Sequence, residues 1–260
     1  MTNYSKPNIL ITGSVGFIGR HLMKAFPDAF SLDIKDSKDQ DINDLSGLED
    51  FFQAFKPDVV IHLAAISTLN DVNKDKRQAI TTNIIGTLNV LELCKKYQVE
   101  KIIYVSSAAR YEPESSIYAM TKEFAELLCK EFKNVYVLRL FNVYGKGSKS
   151  VVNRFIQKIK MGKSIEKYGD TVRDYVYIDD VIETFKEIIY GEWIPMTMEV
   201  ASGKGTSLKE LVGIISSVLK KEAKTAQRPK KKEIQYSVGK KSLFYRTSLE
   251  KGIKKMVYSL

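Results

Sequence analysis

The chain has 260 residues, 44% of them hydrophobic and 28% charged, which is the composition of a folded domain large enough to bury a substantial core. Its net charge of +10 is concentrated between Lys220 and Lys241, where nine Lys or Arg stand against two Glu without the interleaved aromatics that stacking on nucleic acid needs. This argues against a nucleic-acid partner, which is not expected, and favours attraction of an anionic small molecule. No run approaches the roughly 20 apolar residues of a membrane span, and Met1 to Pro7 are polar with no signal-peptide core behind them, so a cytoplasmic protein is expected.

The first element sets the pattern. Asn8 to Thr12 is an apolar β-like run that feeds Gly13, Gly16 and Gly19 and then an amphipathic segment, 16–26, in the order strand, tight turn, helix. A turn that brings backbone N–H groups against a diphosphate tolerates no Cβ at its contact points, and the following helix offers free N–H groups and a positive dipole end. Gly13 would make the turn, Gly16 the close approach and Gly19 the packing of helix on strand. A second run, Ala29–Asp33, places a carboxylate 20 residues beyond Gly13, where a ribose hydroxyl would seek an acceptor, although Asp33 could equally cap a turn.

Further strand-like runs follow at Asp58–Leu63, Lys101–Ser106, Val135–Leu140 and Met196–Ala201, with helical periodicity at 45–55, 77–97 and 118–132. Strands alternating with helices predict an α/β fold, a doubly wound parallel sheet of the Rossmann kind covered on both faces. After Tyr144 the rhythm changes to a loop and helices at 151–161, 207–219 and 248–256, which reads as a small C-terminal cap. The expected division is 1–144 for the dinucleotide-binding domain, with 172–201 returning to it, and 145–260 for the cap.

At the end of the fourth strand Ser106-Ser107 is followed by Tyr118 and Lys122, which are spaced i and i+4 on one helix face. A phenol with a reference pKa near 10 is a poor base, but a neighbouring ammonium and an oxidised nicotinamide both favour its phenolate. Tyr118 then suits proton transfer in an alcohol–ketone interconversion, with a strand-end serine holding the reacting oxygen. Elsewhere the bland readings prevail: His62 as a packed core histidine, Arg139 as the partner of a buried carboxylate, Trp193 as packing, and Cys94 and Cys129 as buried thiols. No metal site is expected.

Taken together these motifs resemble the extended short-chain dehydrogenases/reductases, specifically the NAD-dependent epimerase/dehydratase family acting on nucleotide sugars. The resemblance runs from Ile9 to Met256. The Gly13/Gly16/Gly19 turn with Phe17 and Ile18, then Asp33, Asp41-Ile42, Leu63-Ala64-Ala65 and Asn83, are similar to the family's cofactor half. Ser107, Tyr118 and Lys122 match its catalytic set. The segment Leu138–Gly145 resembles the start of substrate binding, where Asn142 would face the sugar nucleotide. Arg173, in Arg173-Asp174-Tyr175-Val176-Tyr177, would contact the substrate diphosphate, joined by Arg228.

Departures fall on the substrate side. Only ten residues separate Ser107 from Tyr118, where relatives usually carry about two dozen; Glu112 replaces a glycine, and Lys224–Phe244 is pared down. Ala108-Ala109 stands where sugar 4,6-dehydratases carry an acidic pair, which argues against elimination. The resemblance implies an NAD-dependent enzyme, with NADP less favoured, that epimerises a nucleotide-diphosphate sugar at C4 through a transient 4-keto species; it also allows a homodimer. A 4-keto reductase with the same residues and a non-catalytic dinucleotide-binding scaffold are the competing expectations.

Overall fold

Short Val/Ile-rich runs bounded by turns become the strands of one central sheet. The computed structural model describes residues 6–38, 40–168, 171–191, 195–228 and 236–258; Trp193 and residues 229–235 of the basic segment lie outside them. In chain order the elements begin β1 (Ile9–Thr12), α1 (Phe17–Ala25), β2 (Phe30–Leu32), α2 (Leu45–Phe55), β3 (Val59–His62), α3 (Leu69–Lys74), α4 (Lys76–Ile80), α5 (Gly86–Lys96), β4 (Lys101–Ser107) and α6 (Ile117–Cys129). They continue with β5 (Val135–Leu140), β6 (Asn142–Tyr144), α7 (Val151–Lys160), β7 (Ile165–Tyr168), β8 (Val172–Tyr177), α8 (Ile178–Tyr190) and β9 (Thr197–Val200). The last are β10 (Gly205–Ser207), α9 (Leu208–Leu219), β11 (Thr225–Arg228), β12 (Tyr236–Ser237) and α10 (Leu249–Tyr258).

The chain divides into two compact units, Met1–Arg139 with Lys186–Met198, and Leu140–Phe185 with Glu199–Leu260. The first is built on a six-stranded sheet in the order β2-β1-β3-β4-β5-β9, with β1 paired in parallel to β2 and β3, and β3 to β4. All four residues of β1 and all four of β3 are buried, as expected of strands covered on both faces, which explains why they are continuously apolar. Leu10, Val60 and Ile102 pack with Leu48 and Phe52 of α2, Val90 of α5 and Ala125 of α6. Full burial of each large side chain in such a cluster stabilises by about 1.5–3 kcal/mol. Because β2 lies on one side of β1 and β3 on the other, the strand order reverses at β1, and ligands in open α/β sheets bind at such a reversal.

One expected helix differs. The segment 77–97 is α4, a π-helical turn over Thr81–Ile85, and α5. The extra residue of the π turn is accommodated where Asn83 turns inward and its amide pairs with the backbone of Ile66, a partner from another segment that hydrophobic periodicity does not register.

The second unit carries more strand than its sequence suggests. β8 is flanked by β10 and β12 and also pairs with β6, while β11 pairs with β7 in a separate two-stranded sheet. These strands are two to six residues long, too short for a period to show. Tyr144, fully buried, packs edge-on against Tyr177 and Tyr175, at 5.4 and 6.5 Å between ring centroids. Among the described residues no helix is long and apolar enough to cross a membrane.

Candidate active site

Four neighbouring strands of the first unit lead to residues singled out above: β1 runs into Gly13, β2 into Asp33 and β3 into Leu63-Ala64-Ala65, and β4 ends in Ser107. Gly13 takes φ +72°, and a Cβ there would stand 2.7 Å from the Ala64 nitrogen and 2.9 Å from the Leu63 carbonyl carbon. The turn is therefore left-handed and pressed onto the end of β3, both of which demand glycine. A Cβ at Gly19 would meet the carbonyl oxygens of Gly13 and Ser14 at 2.4 Å, so this glycine lets α1 sit directly on the turn. Gly16 is the N-cap of α1 and supplies no side chain to the free N–H groups of the first turn, Phe17, Ile18 and Gly19.

Asp33 is buried, and its carboxylate accepts the Val15 N–H at 3.0 Å and the Lys35 N–H at 2.9 Å. It thus ties the glycine turn to the end of β2 while retaining further lone pairs for a hydroxyl. Asp41 accepts from the backbone and side chain of Asn43, and the Ile42 side chain fills the space that a Cβ at Gly86 would occupy.

Beneath this surface runs a chain of hydrogen bonds that sequence reading did not find. The Ala64 N–H donates to Thr12 Oγ1 (3.2 Å), which lies 2.7 Å from His62 Nδ1; His62 Nε2 lies 3.0 Å from Thr87 Oγ1, which donates to the Asn83 carbonyl at 2.8 Å. With the Thr87 hydrogen committed to Asn83, His62 must donate from Nε2 and accept at Nδ1 from Thr12, which assigns the neutral Nε2–H tautomer. Burial, with the Lys122 charge adding to it, lowers the imidazole to about 3. Asn83 itself accepts from the Ile66 N–H (2.8 Å) and donates to the Ile66 carbonyl (3.0 Å) and to Thr121 Oγ1 (3.0 Å). Thr121 in turn donates to the Tyr118 carbonyl (2.8 Å), so the loop after β3 is clamped to α6.

Helix α6 starts at the N-cap Ser116 and lays a stripe of every fourth residue against β4. Tyr118 hydrogen-bonds Ser107, Lys122 Nζ donates to the Val105 carbonyl at 2.7 Å, and Glu126 accepts from Ser106. Burial raises the Tyr118 phenol above its ordinary 10, and the Ser107 hydrogen bond opposes that rise. The Lys122 ammonium sits 4.8 Å above the Tyr104 ring, and burial lowers it to about 8, against the pull of Cys129 and Glu126. Glu126, buried, also takes Arg139 in a fork, with Nη2 at 2.8 Å, as the apolar strand context of Arg139 suggests. Its place, four residues beyond Lys122, is the sequence signal that marks it.

In the second unit Asn142 of β6 donates to the Asp174 carbonyl of β8 at 2.9 Å, which sets it beside the Arg173–Tyr175 segment. Arg173 is half-buried, its Nη1 donating to the Val172 carbonyl, and its charge opposes the burial that raises Tyr175 to about 12. Asp174, fully buried, accepts the N–H groups of Ser202 (2.7 Å) and Gly203 (2.9 Å) and the Ser202 hydroxyl (2.6 Å). Arg228 ends β11 in the separate two-stranded sheet, opposite Tyr168 of β7, and its side chain lies outside the described residues. Among the described residues no cluster of His, Cys, Asp and Glu could hold a metal ion.

Residues 9–190 match the model of the NAD dependent epimerase/dehydratase family. The chain is 29% identical to a putative UDP-glucose 4-epimerase of Methanocaldococcus jannaschii, over 80% of this chain and 81% of that one. The solved UDP-glucose 4-epimerase of Thermotoga maritima, with UDP-glucose, is 25% identical and superposes with a TM-score of 0.84 over 96% of this chain and 97% of that one. That of Thermus thermophilus, in complex with NAD, is 26% identical with a TM-score of 0.83, over 96% and 98%.

Proposed function

Because the chain belongs to the NAD dependent epimerase/dehydratase family, we propose that it is an NAD-dependent nucleotide-sugar 4-epimerase working through a transient 4-keto sugar. The observation that supports this most is the Ser107–Tyr118 hydrogen bond at the end of β4, with Lys122 buried one turn further along α6. The fit of NAD rests on the cradle: Gly13 and Gly19 leave no room for side chains, the first turn of α1 is uncapped, and Asp33 is seated at the end of β2. Gly13, Gly16, Phe17, Ile18 and Gly19 would hold its diphosphate and Asp33 a ribose, with Asp41-Ile42, Leu63–Ala65 and Asn83 completing the walls. When bound, the nicotinamide supplies the hydride acceptor and donor.

The residues of the chain do the rest. Tyr118 takes the proton of the C4 hydroxyl and later returns it, and Ser107 orients the sugar oxygen. Burial keeps the phenol protonated until a positive charge is brought near it, and Lys122, one turn further along α6, is the residue assigned to favour its ionisation and to hold the nicotinamide ribose. Asn142 and Arg173 are the residues for the sugar nucleotide, and Arg228 is a further candidate for its phosphates. Asp33 would repel a 2′-phosphate, which favours NAD over NADP. Met120, Phe124 and Leu127, 44%, 51% and 45% exposed at helical spacing on α6, form an apolar stripe that supports a homodimer.

The test is incubation with UDP-hexoses without added nicotinamide, following the C4 configuration by NMR. Interconversion with no net cofactor change is expected. Activity only on a 4-keto sugar, with stoichiometric consumption of reduced nicotinamide, would make the protein a reductase instead. A cofactor-loaded protein that turns over neither substrate class would leave it as a dinucleotide-binding scaffold.

A further inference from the structure

The ten residues that join Ser107 to Tyr118 contain two 3-10 turns, Ala108–Tyr111 and Pro113–Ser115. Such turns make poorer hydrogen bonds than α-helix and hold a shape only when something outside them does. Ser107 is the cap of the first: its Oγ accepts the Ala109 N–H at 3.2 Å, which leaves the hydroxyl hydrogen free to point at Tyr118. Whatever fixes this turn therefore fixes the Ser107 hydroxyl.

The far end of the turn is Arg110-Tyr111, and it is gripped from α6 and β5. Arg110 Nη2 stands 2.6 Å from Glu123 and its Nε 3.5 Å from the buried Glu126. The Arg110 and Arg139 guanidinium carbons lie 5.2 and 5.3 Å from the centre of the Tyr111 ring, and Arg139 Nη1 donates to the Tyr111 hydroxyl at 3.0 Å. Glu126 thus collects groups from β4 (Ser106), β5 (Arg139) and the connection (Arg110).

We propose that Arg110 is a positioning residue, whose pairing with Glu123 and Glu126 and cation–π contact with Tyr111 hold the short connection so that the Ser107 hydroxyl stays aimed at Tyr118. The inference rests on the reading of Ser107 and Tyr118 as the reacting pair. The guanidinium matters: a lysine at 110 keeps a charge near the two glutamates but not the broad planar cation over the Tyr111 ring.

The experiment compares the parent with Arg110→Met, Ser107→Ala and the double variant, each loaded with NAD, for turnover of UDP-hexoses between pH 6 and 10. Arg110→Met should lower kcat by about tenfold with the substrate KM nearly unchanged. Ser107 opposes the rise of the phenol, so loosening it moves the acid limb of the profile to higher pH, a displacement that a general loss of packing does not produce. In the double variant Arg110→Met should add nothing to Ser107→Ala, because both act through one hydroxyl. Arg110→Lys should restore part of the rate, and Glu123→Gln, a milder change, should shift the limb in the same direction by less. An additive double variant, or an Arg110→Met enzyme with the parent acid limb, overturns the proposal. A Ser107→Ala enzyme with parent turnover instead sinks the reading of the reacting pair. In the absence of turnover, the Tyr118 titration followed by NMR of 13Cζ-labelled tyrosine, assigned by its loss in Tyr118→Phe, answers the same question: it should move upward in Arg110→Met, and an unmoved titration refutes the proposal.

Discussion

In the first unit the loops at the strand ends are pinned by glycines pressed onto backbone and by a sheet buried on both faces, whereas in the second two loops are held by buried carboxylates. Asp174 takes the amides of the 202–203 loop, and Asp180 accepts the Thr247 N–H at 2.9 Å and its hydroxyl at 2.8 Å. A glycine turn on a packed sheet is a steric device, unforgiving of any added atom. A carboxylate receiving several N–H groups is an electrostatic one, which fails when its charge is removed and its donors are left buried without acceptors. The same fold thus holds its proposed cofactor cradle and its proposed substrate segments by different physics, and each can be attacked separately.

The largest expected effect lies in the first unit and leaves its packing untouched. Tyr118→Phe should lower kcat by about 10²–10⁴ while thermal unfolding and NAD affinity stay near the parent values, measured by steady-state kinetics, calorimetry and titration. Gly13→Ala strikes the steric device itself: a left-handed residue with a Cβ 2.7 Å from backbone should cost about 3 kcal/mol of stability and most of the NAD affinity. Retained cofactor binding in that variant would show that the turn can yield.

The buried histidine gives a pH test confined to the same unit. Its imidazole is lowered to about 3 in the folded chain from an ordinary 6.5, so the unfolded state binds the extra proton first. The stability it leaves intact above pH 6.5 is therefore lost as the pH falls, by about 3 kcal/mol between pH 6.5 and 4. In His62→Gln that part of the slope should vanish from denaturant titrations at the two pH values.

Asp174→Asn is the counterpart in the second unit, expected to cost about 2 kcal/mol. It should raise hydrogen exchange at the Ser202 and Gly203 amides while leaving those of Gly13 and Val15 protected, and uniform loosening of both units would erase the contrast between them. The smallest effect is the sharpest for substrate: Arg173→Ala should weaken binding of UDP by about tenfold in calorimetric titration without changing NAD affinity. Unchanged UDP affinity would remove the residue from the proposed site.

Much was legible in the residues alone because it depends on short separations along the chain. The period of the apolar runs marked the strands of the central sheet and most of the helices, the spacing of Gly13, Gly16 and Gly19 marked the turn, and i to i+4 placed Tyr118 and Lys122 on one face of α6. Three outcomes required the tertiary structure. The π turn at Asn83 exists because its amide meets Ile66; Lys122 donates to the Val105 carbonyl; and Asp33 ties down Val15 and Lys35. The relay from Thr12 through His62 to Thr87 and Asn83, the convergence of Ser106, Arg110 and Arg139 on Glu126, and the loops gathered by Asp174 join residues far apart in sequence. Such contacts follow from strand register and from which helix face meets which strand, and both are set by the burial of the whole sheet, so no local pattern of residue types could have announced them.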